Sequence, residues 1–257
     1  MLEIKDISKT FHAGTIDEKV LFDHFNLTVK KGQFVSVVGS NGSGKTTILN
    51  IVSGDMPADG GQIFLDGQNL TPQKNYKRAR KIARVFQNPS MGTCPSMTIF
   101  ENLSIADNKL RPYGLTPGLN HKRKAHYQQL LSELGLGLEN RMDTIAASLS
   151  GGQRQALALI MATMVTPDLL LLDEHTAALD PKSSDTVMEL TKKIVEEKKI
   201  TTLMVTHNLR HATSYGDRLV MMHEGKAVLD LEGDEKRAHS IDDLLKVFNE
   251  ISIECGN

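Results

Sequence analysis

Short apolar runs and turns organise the first part of the chain. Residues 2–7 and 20–29 alternate apolar and polar side chains, which predicts two strands of an antiparallel edge. Residues 34–38 are mostly apolar and β-branched and are followed by Gly39, a pattern typical of a strand buried on both faces. The pattern next predicts a helix over 45–52, and then a short strand over 63–65 before a turn at Asp66-Gly67.

The pattern changes between residues 88 and 166. Proline and glycine recur there among helical patterns, which predict helices over 98–110, 121–134 and 151–164. Beyond this region, strands and helices alternate again. The predicted elements are a strand over 169–172, a helix over 181–198, a strand over 201–206 and a hairpin of strands 219–222 and 226–231.

This alternation predicts an α/β fold with a mixed, mainly parallel sheet and an antiparallel β edge. We expect residues 1–257 to form one domain. Its α/β core would comprise residues 1–87 and 167–257, and residues 88–166 would form a helical insertion subdomain.

Composition and charge narrow the possible partners. The net charge of −1 gives no reason to expect nucleic acid. No apolar stretch approaches the roughly 18 residues needed to span a bilayer, and the first ten residues lack the apolar region of a signal peptide. We therefore expect any membrane role to depend on docking to a partner. Cys94 and Cys255 fit no metal-binding spacing and favour a reducing compartment.

Five basic residues between positions 77 and 84 form the densest cationic run of the chain. Our interpretation is a solvated helix face, and a contact with phosphate or a partner is the alternative. Histidines without a motif around them, among them His24, His121 and His211, are predicted to lie at the surface. The basic residues are Lys77, Arg78, Arg80, Lys81 and Arg84.

A glycine-rich loop follows the predicted buried strand and opens a helix. It matches the pattern G-x-x-x-x-G-K-[ST] in full. In this context the loop N–H groups can surround phosphate oxygens, and the helix N-terminus adds positive potential. Lys45 would neutralise the β- and γ-phosphates and Thr46 would ligate Mg²⁺. The predicted binding residues are Gly39, Ser40, Asn41, Gly42, Ser43, Gly44, Lys45, Thr46 and Thr47.

Two carboxylates, Asp173 and Glu174, end the apolar strand 169–172. Asp173 is placed to hold Mg²⁺, and Glu174 can then act as the general base that orients and polarises the attacking water. The alternative role for this pair is to cap the following helix.

The pentapeptide Leu149–Gln153 opens the predicted helix 151–164, so that its serine and glycines lie at a helix N-terminus, which is an anion-binding position. The chain thus carries two phosphate-binding elements more than a hundred residues apart. A single nucleotide needs only one of them. We infer a dimer in which each nucleotide lies between two chains.

With these motifs, nearly the whole chain resembles the ATPase subunits of ABC transporters. The resemblance implies ATP and Mg²⁺ as cofactors and ATP hydrolysis as the reaction. It implies that Ser150, Gly151, Gly152 and Gln153 are the family's signature residues, and that the other site residues have the following roles. Phe11 would stack on adenine, Gln87 would sense Mg²⁺ and water and meet the membrane partner, Asp180 would communicate across the dimer, and His207 would contact the γ-phosphate.

One residue departs from the family pattern. His175 follows Glu174 where the family usually has proline. A tolerated replacement is one interpretation, and modulation of hydrolysis near neutral pH is the other.

The resemblance implies a homodimer docked on permease subunits at the cytoplasmic face of the membrane, with an extracytoplasmic substrate-binding protein as a further partner. Residues 215–225 resemble importer ATPases for amino acids, including aromatic ones. An exporter or lipoprotein-release ATPase is an alternative. A non-transport ABC ATPase is disfavoured, because the chain has one phosphate loop and no sustained heptads. A small-molecule kinase would leave residues 149–153 unexplained.

Overall fold

The computed structural model describes residues 1–111, 114 and 118–254, and side chains up to residue 248. Cys255 lies outside the described residues. The chain divides into two compact units. One comprises residues 1–79 and the described residues from 199 onward, and the other comprises residues 80–198. We call them the loop unit and the signature unit, after the motifs that they carry.

The loop unit begins with the predicted antiparallel edge. Strands β1 (Leu2–Phe11) and β2 (Lys19–Val29) pair antiparallel, and β1 also pairs antiparallel with a later strand, β4 (Gly60–Leu65). The central strand β3 has six residues, all of them buried, as its apolar pattern predicts. The elements that follow are β3 (Phe34–Gly39), α1 (Lys45–Ser53), β4 (Gly60–Leu65), β5 (Gln68–Asn69) and α2 (Asn75–Arg78).

The signature unit contains a parallel pair of buried strands and the helices around them. Thr98 is the N-cap of helix α3 and forms a capping box with Glu101. The helix ends at Asp107, before the end of the predicted 98–110 segment. The segment predicted as helix 121–134 divides into a 3₁₀ turn and α4. The elements are β6 (Ile82–Val85), α3 (Ile99–Asp107), α4 (Lys124–Ser132), α5 (Gly151–Met164), β7 (Leu169–Asp173) and α6 (Pro181–Lys198).

The remaining elements return to the loop unit. Its second sheet contains β3 and three later strands, β8 (Thr201–Val205), β9 (Arg218–His223) and β10 (Lys226–Glu232). The strand order is β10-β9-β3-β8, with β3 parallel to β8 and β9, and β9 antiparallel to β10. The hairpin predicted from strands 219–222 and 226–231 is present and turns at Glu224-Gly225, with φ of 43° and 75°. The elements are β8 (Thr201–Val205), α7 (Leu209–Ser214), β9 (Arg218–His223), β10 (Lys226–Glu232), α8 (Asp234–Ala238) and α9 (Ile241–Glu254). The α/β class with a mixed sheet is confirmed.

Two predictions about surface residues are wrong. His211 is buried on α7, with its ring edge-on to Tyr215, because this face of α7 covers the β3–β9 core. The basic run is not one solvated face. Lys77 and Arg80 are exposed, whereas Arg78 is buried and the Arg84 side chain is only 10% exposed. His24 and His121 are exposed as predicted.

Candidate nucleotide-binding site

The glycine-rich loop of the loop unit connects β3 to α1 and requires glycine at its two ends. Gly44 adopts φ of 103° as the N-cap of α1, and a Cβ there would lie 2.6 Å from the Phe22 ring. A Cβ on Gly39 would lie 2.1 Å from the Met222 carbonyl oxygen. The loop is therefore held tightly against β2 and β9, where only glycine fits.

Lys45 is 6% exposed and lies inside this loop. Its Nζ donates to the carbonyl oxygens of Gly39 and Ser40, both at 2.8 Å. The ammonium group and the N-terminus of α1 thus supply positive charge at one place, which suits a phosphate chain. Thr46 is exposed and Thr47 is half-buried in the first turn of α1, and Ser43 is buried, whereas Asn41 and Gly42 are exposed.

Phe11 and His207 are the other predicted site residues of the loop unit. Phe11 is half-buried at the end of β1, and the Lys9 ammonium lies 5.7 Å from the centre of its ring. His207 is exposed in the bend between β8 and α7, next to Asn208, which caps α7 by accepting from the His211 N–H at 3.2 Å.

In the signature unit, Asp173 ends β7 beside a partner that the sequence pattern did not indicate. The Arg84 guanidinium, on the neighbouring strand β6, donates to Asp173 Oδ2 at 2.5 Å. The exposed fractions of the two side chains are 10% and 12%. Arg84 also lies 4.8 Å from the centre of the Phe86 ring. Each of these two buried charged groups thus has an ion-pair partner, as buried charges require.

Glu174 has a positive φ of 46°, which is unusual for a residue other than glycine. Its carbonyl oxygen accepts from the Ala177 N–H at 2.9 Å, which closes a tight turn directly after β7. The half-buried Glu174 side chain thus leaves the chain at a sharp reversal. Strained backbone of this kind concentrates at functional sites, where it directs a side chain.

His175 is 2% exposed and belongs to the packing of the signature unit. Its Nε2 lies 3.2 Å from the Thr191 hydroxyl on α6, and that hydroxyl donates to the Val187 carbonyl oxygen at 2.7 Å. Because the hydroxyl proton is used in this way, the hydrogen bond assigns a proton to His175 Nε2. His175, which stands where the family usually has proline, therefore has Thr191 as a hydrogen-bond partner. A proline side chain could not form this bond.

The signature residues form the N-terminus of α5. Ser150 Oγ accepts from the Gln153 N–H at 3.3 Å, and Gln153 Oε1 accepts from the Ser150 N–H at 3.2 Å, which is a capping box. Ser150 and Gly151 are exposed. Gly152 is buried and packs closely against α6, so that a Cβ there would lie 2.9 Å from the Ser183 Cβ. An exposed N-terminus on a 14-residue helix can receive an anion.

Helix α5 also packs against the segments that carry Asp180 and Gln87, the two remaining predicted site residues. Asp180 is exposed and caps α6 by accepting from the Ser183 N–H at 3.0 Å. Hydrogen bonds from Ser183 hold the pKa of the Asp180 carboxyl below its usual value. Gln87 is exposed just beyond β6, and the preceding carbonyl, that of Phe86, accepts from Gln155 Nε2 of α5 at 3.0 Å. Within the signature unit, α5 thus packs between the Asp180 turn and the Gln87 segment.

The sequence model of the ABC transporter family matches residues 22–177, which include the glycine-rich loop, the signature pentapeptide and both carboxylates. The chain belongs to the ABC transporter family. ATP binding and ATP hydrolysis in a transporter are therefore the activities of this chain. Among its described residues, none of the helices is long and apolar enough to cross a membrane.

Two curated relatives and two solved structures support this assignment. The tyrosine transport ATP-binding protein of Clostridioides difficile is 50% identical over 96% of this chain and 98% of its own length. The choline transport ATP-binding protein of Bacillus subtilis is 32% identical over 96% of this chain, which spans 62% of that relative. A dimeric ATP-binding cassette in a post-hydrolysis state with ADP and phosphate is 30% identical, with a TM-score of 0.76 over 90% of this chain and 98% of its own. A nucleotide-free cassette of an ABC transporter is 25% identical, with a TM-score of 0.79 over 100% of this chain and 99% of its own.

Proposed function

We propose that this chain energises the import of an aromatic amino acid, with tyrosine as the first candidate. The observation that carries the proposal is the 50% identity with a tyrosine transport ATP-binding protein along nearly the whole length of both chains. Relatives named for choline transport and methionine import are less similar, at 32% and 31% identity. The transported molecule would contact the membrane partner and not this subunit. The substrate class is therefore proposed from the similarity of the whole chains and not from residues of this subunit.

We further propose that two copies of this chain bind ATP between them. The support is chemical: the loop unit and the signature unit each present a helix N-terminus suited to phosphate. A solved relative is dimeric with ADP and phosphate. Ser150, Gly151, Gly152 and Gln153 of one copy would then face the γ-phosphate bound by the Lys45 loop of the other. The dimer would dock on permease subunits at the cytoplasmic face of the membrane, and a substrate-binding protein would deliver the solute from outside.

Each predicted site residue would have a role that suits the functional group of its side chain. Lys45 and the loop N–H groups would bind the β- and γ-phosphates, and Phe11 would stack on the adenine. Glu174 would accept a proton from the attacking water, and His207 would hold the γ-phosphate. Gln87 and Asp180 would connect the site to the permease and to the second chain.

Mg²⁺ fits the oxygen donors that the chain offers. The Thr46 hydroxyl, the Asp173 carboxylate and the Gln87 amide oxygen are hard ligands of the kind that Mg²⁺ prefers. The ion, when bound, would neutralise charge that develops on the transferred phosphoryl group. Thr46 lies in the first turn of α1 and Asp173 at the end of β7, both fixed by regular secondary structure.

The test is transport by the reconstituted complex. The chain would be purified with its permease and substrate-binding protein, placed in liposomes, and assayed for ATP-driven uptake of radiolabelled tyrosine. We expect tyrosine to stimulate ATP hydrolysis and to accumulate, with phenylalanine as a weaker competitor and with choline and methionine inert. A complex that accumulates choline or methionine in preference to tyrosine, or that moves solute outward, would contradict the proposed import function.

A further inference from the structure

Arg84 pairs with Asp173, to which the proposed function gives the role of magnesium ligand. The two residues are 89 positions apart in the chain and lie on adjacent parallel strands. Arg84 is opposite Leu171 in the register of β6 and β7. Since side chains two positions apart on a strand share a face, Leu171 and Asp173 project to the same side. The pairing of the two strands therefore places the long Arg84 side chain on the face where the Asp173 carboxylate emerges.

The surroundings of the Arg84 guanidinium fix its position. It donates to Asp173 Oδ2 at 2.5 Å, and the Phe86 ring lies 4.8 Å from the guanidinium carbon. With exposed fractions of 10% and 12%, neither member of the pair is well hydrated. A charge-assisted hydrogen bond in such a place is short and directional, so it fixes the orientation of the carboxylate.

We propose that Arg84 is a positioning residue for Asp173, which it holds in one orientation so that the carboxylate is a preformed magnesium ligand. This inference rests on the proposed role of Asp173. Groups that orient a metal ligand typically change metal affinity by about 10- to 100-fold when they are removed. Arg84 acts only through Asp173, and it is not itself expected to touch nucleotide or metal.

The main variant is Arg84→Gln, which removes the positive charge and retains a donor. Binding of N-methylanthraniloyl-ATP would be titrated with Mg²⁺, and also measured in EDTA. We expect the Mg²⁺ concentration for half-maximal effect to rise by about tenfold or more. Affinity in EDTA should stay within about twofold of the wild type, because the charge of Lys45 and the loop N–H groups do not depend on Asp173. Arg84→Lys keeps the charge without the planar fork, so its shift should be smaller than that of Arg84→Gln. It also serves as the test variant if Arg84→Gln is insoluble.

The matched control is Arg80→Gln, an exposed arginine of the same basic run, for which no shift is expected. Coupling to Asp173 is tested in the double variant. Once Asp173→Asn has removed the carboxylate, Arg84→Gln should raise the Mg²⁺ requirement no further. Thermal unfolding of each variant would show that the titrations are made on folded protein.

Three results with the Arg84 variants would overturn the inference. The first is an unchanged Mg²⁺ requirement in folded Arg84 variants. The second is a lowered requirement, which would make Arg84 a competitor of the cation. The third is an additional effect of Arg84→Gln in the Asp173→Asn background. If Asp173→Asn alone leaves the Mg²⁺ requirement unchanged, the proposed role of Asp173 fails and the inference about Arg84 fails with it. A shift in Asp173→Asn without one in Arg84→Gln contradicts the inference about Arg84 alone.

Discussion

Two buried cations of the loop unit lie at the C-terminal ends of helices and are held by backbone carbonyl groups. Arg78 donates to the carbonyl oxygens of Ile51 and Val52 in the last turn of α1, at 2.8 and 3.0 Å. Lys236 donates to the carbonyl oxygens of Tyr215 and Gly216, just after α7. Helix C-termini carry unpaired carbonyls and negative potential, which favour a cation. Each residue thereby fixes the end of a helix whose beginning lies beside a predicted nucleotide-binding residue.

The contribution of Lys236 to the free energy of unfolding depends on pH. Burial lowers the pKa of the Lys236 ammonium from 10.5 to about 8. Between these two values the unfolded chain keeps a proton that the folded chain has lost, so the contribution of Lys236 to stability increases as pH rises through this window. We expect this rise, roughly 2–3 kcal/mol in the free energy of unfolding, to be absent in Lys236→Met.

Urea denaturation at intervals between pH 7 and 10.5 measures that difference. Lys236→Met should be less stable than the wild type at every pH, because two buried carbonyl groups lose their donor, but the gap should widen as pH rises. The exposed Lys226→Met is the control and should keep the wild-type slope. Parallel stability curves for the wild type and Lys236→Met would refute the assignment.

At the scale of elements, the signature unit starts two of its helices with the same device. Helix α3 has a capping box between Thr98 and Glu101, and α5 has one between Ser150 and Gln153. Both satisfy N–H groups at a helix N-terminus in the same way. The Ser150 box is the one with a proposed nucleotide role, since it forms part of the signature. Comparing variants of the two capping boxes therefore separates the effect of a cap on stability from the effect of Ser150 on catalysis.

We expect Ser150→Ala and Thr98→Ala each to lower the free energy of unfolding by about 1 kcal/mol, because each loses a side-chain cap. Only Ser150→Ala should also reduce ATP turnover, by about tenfold, which corresponds to the loss of one hydrogen bond to a charged phosphate. Denaturation curves and steady-state ATPase assays on both variants make the comparison. Equal losses of turnover would leave Ser150 with a structural role alone.

At the scale of the whole molecule, one chain holds two helix N-termini suited to anions in two different compact units, α1 in the loop unit and α5 in the signature unit. The proposed dimer uses both, with ATP bound by the loop of one chain and the signature of the other. ATP would then favour the dimer because it binds more tightly to the associated state, in which the signature of the second chain also contacts it. Hydrolysis would end the preference for the dimer, because ADP and the released phosphate no longer form one molecule that contacts both chains.

Glu174→Gln tests this link between chemistry and assembly. The variant removes the general base and keeps the size of the side chain, so we expect turnover to fall by a factor of about 10² or more while ATP still binds. The dimer should then accumulate when ATP is added, as measured by size-exclusion chromatography with light scattering. Glu196→Gln, an exposed carboxylate variant on α6, should behave as the wild type. Turnover at the wild-type rate in Glu174→Gln would remove Glu174 as the base.

The sequence alone determined the features that depend on neighbouring residues. The predicted bounds of α5 and α6 agree with the structure, because caps, helical periodicity and Pro181 act locally. β3 and the hairpin at Glu224-Gly225 were recognisable for the same reason. The glycine-rich loop and the pentapeptide were readable because phosphate binding requires particular residues at fixed spacing in one continuous segment.

Only the tertiary structure decided which polar side chains are buried and what they contact. Arg78 and Arg84 belong to the same basic run as the exposed Arg80, and His211 has no motif around it. His175 looked like an ionisable neighbour of Glu174, yet its partner is Thr191 on α6. Arg84 and Asp173 are 89 positions apart and meet only because their two strands pair in one register. Burial and ion pairing depend on residues that the fold brings together from distant parts of the chain, and no local pattern carries that information.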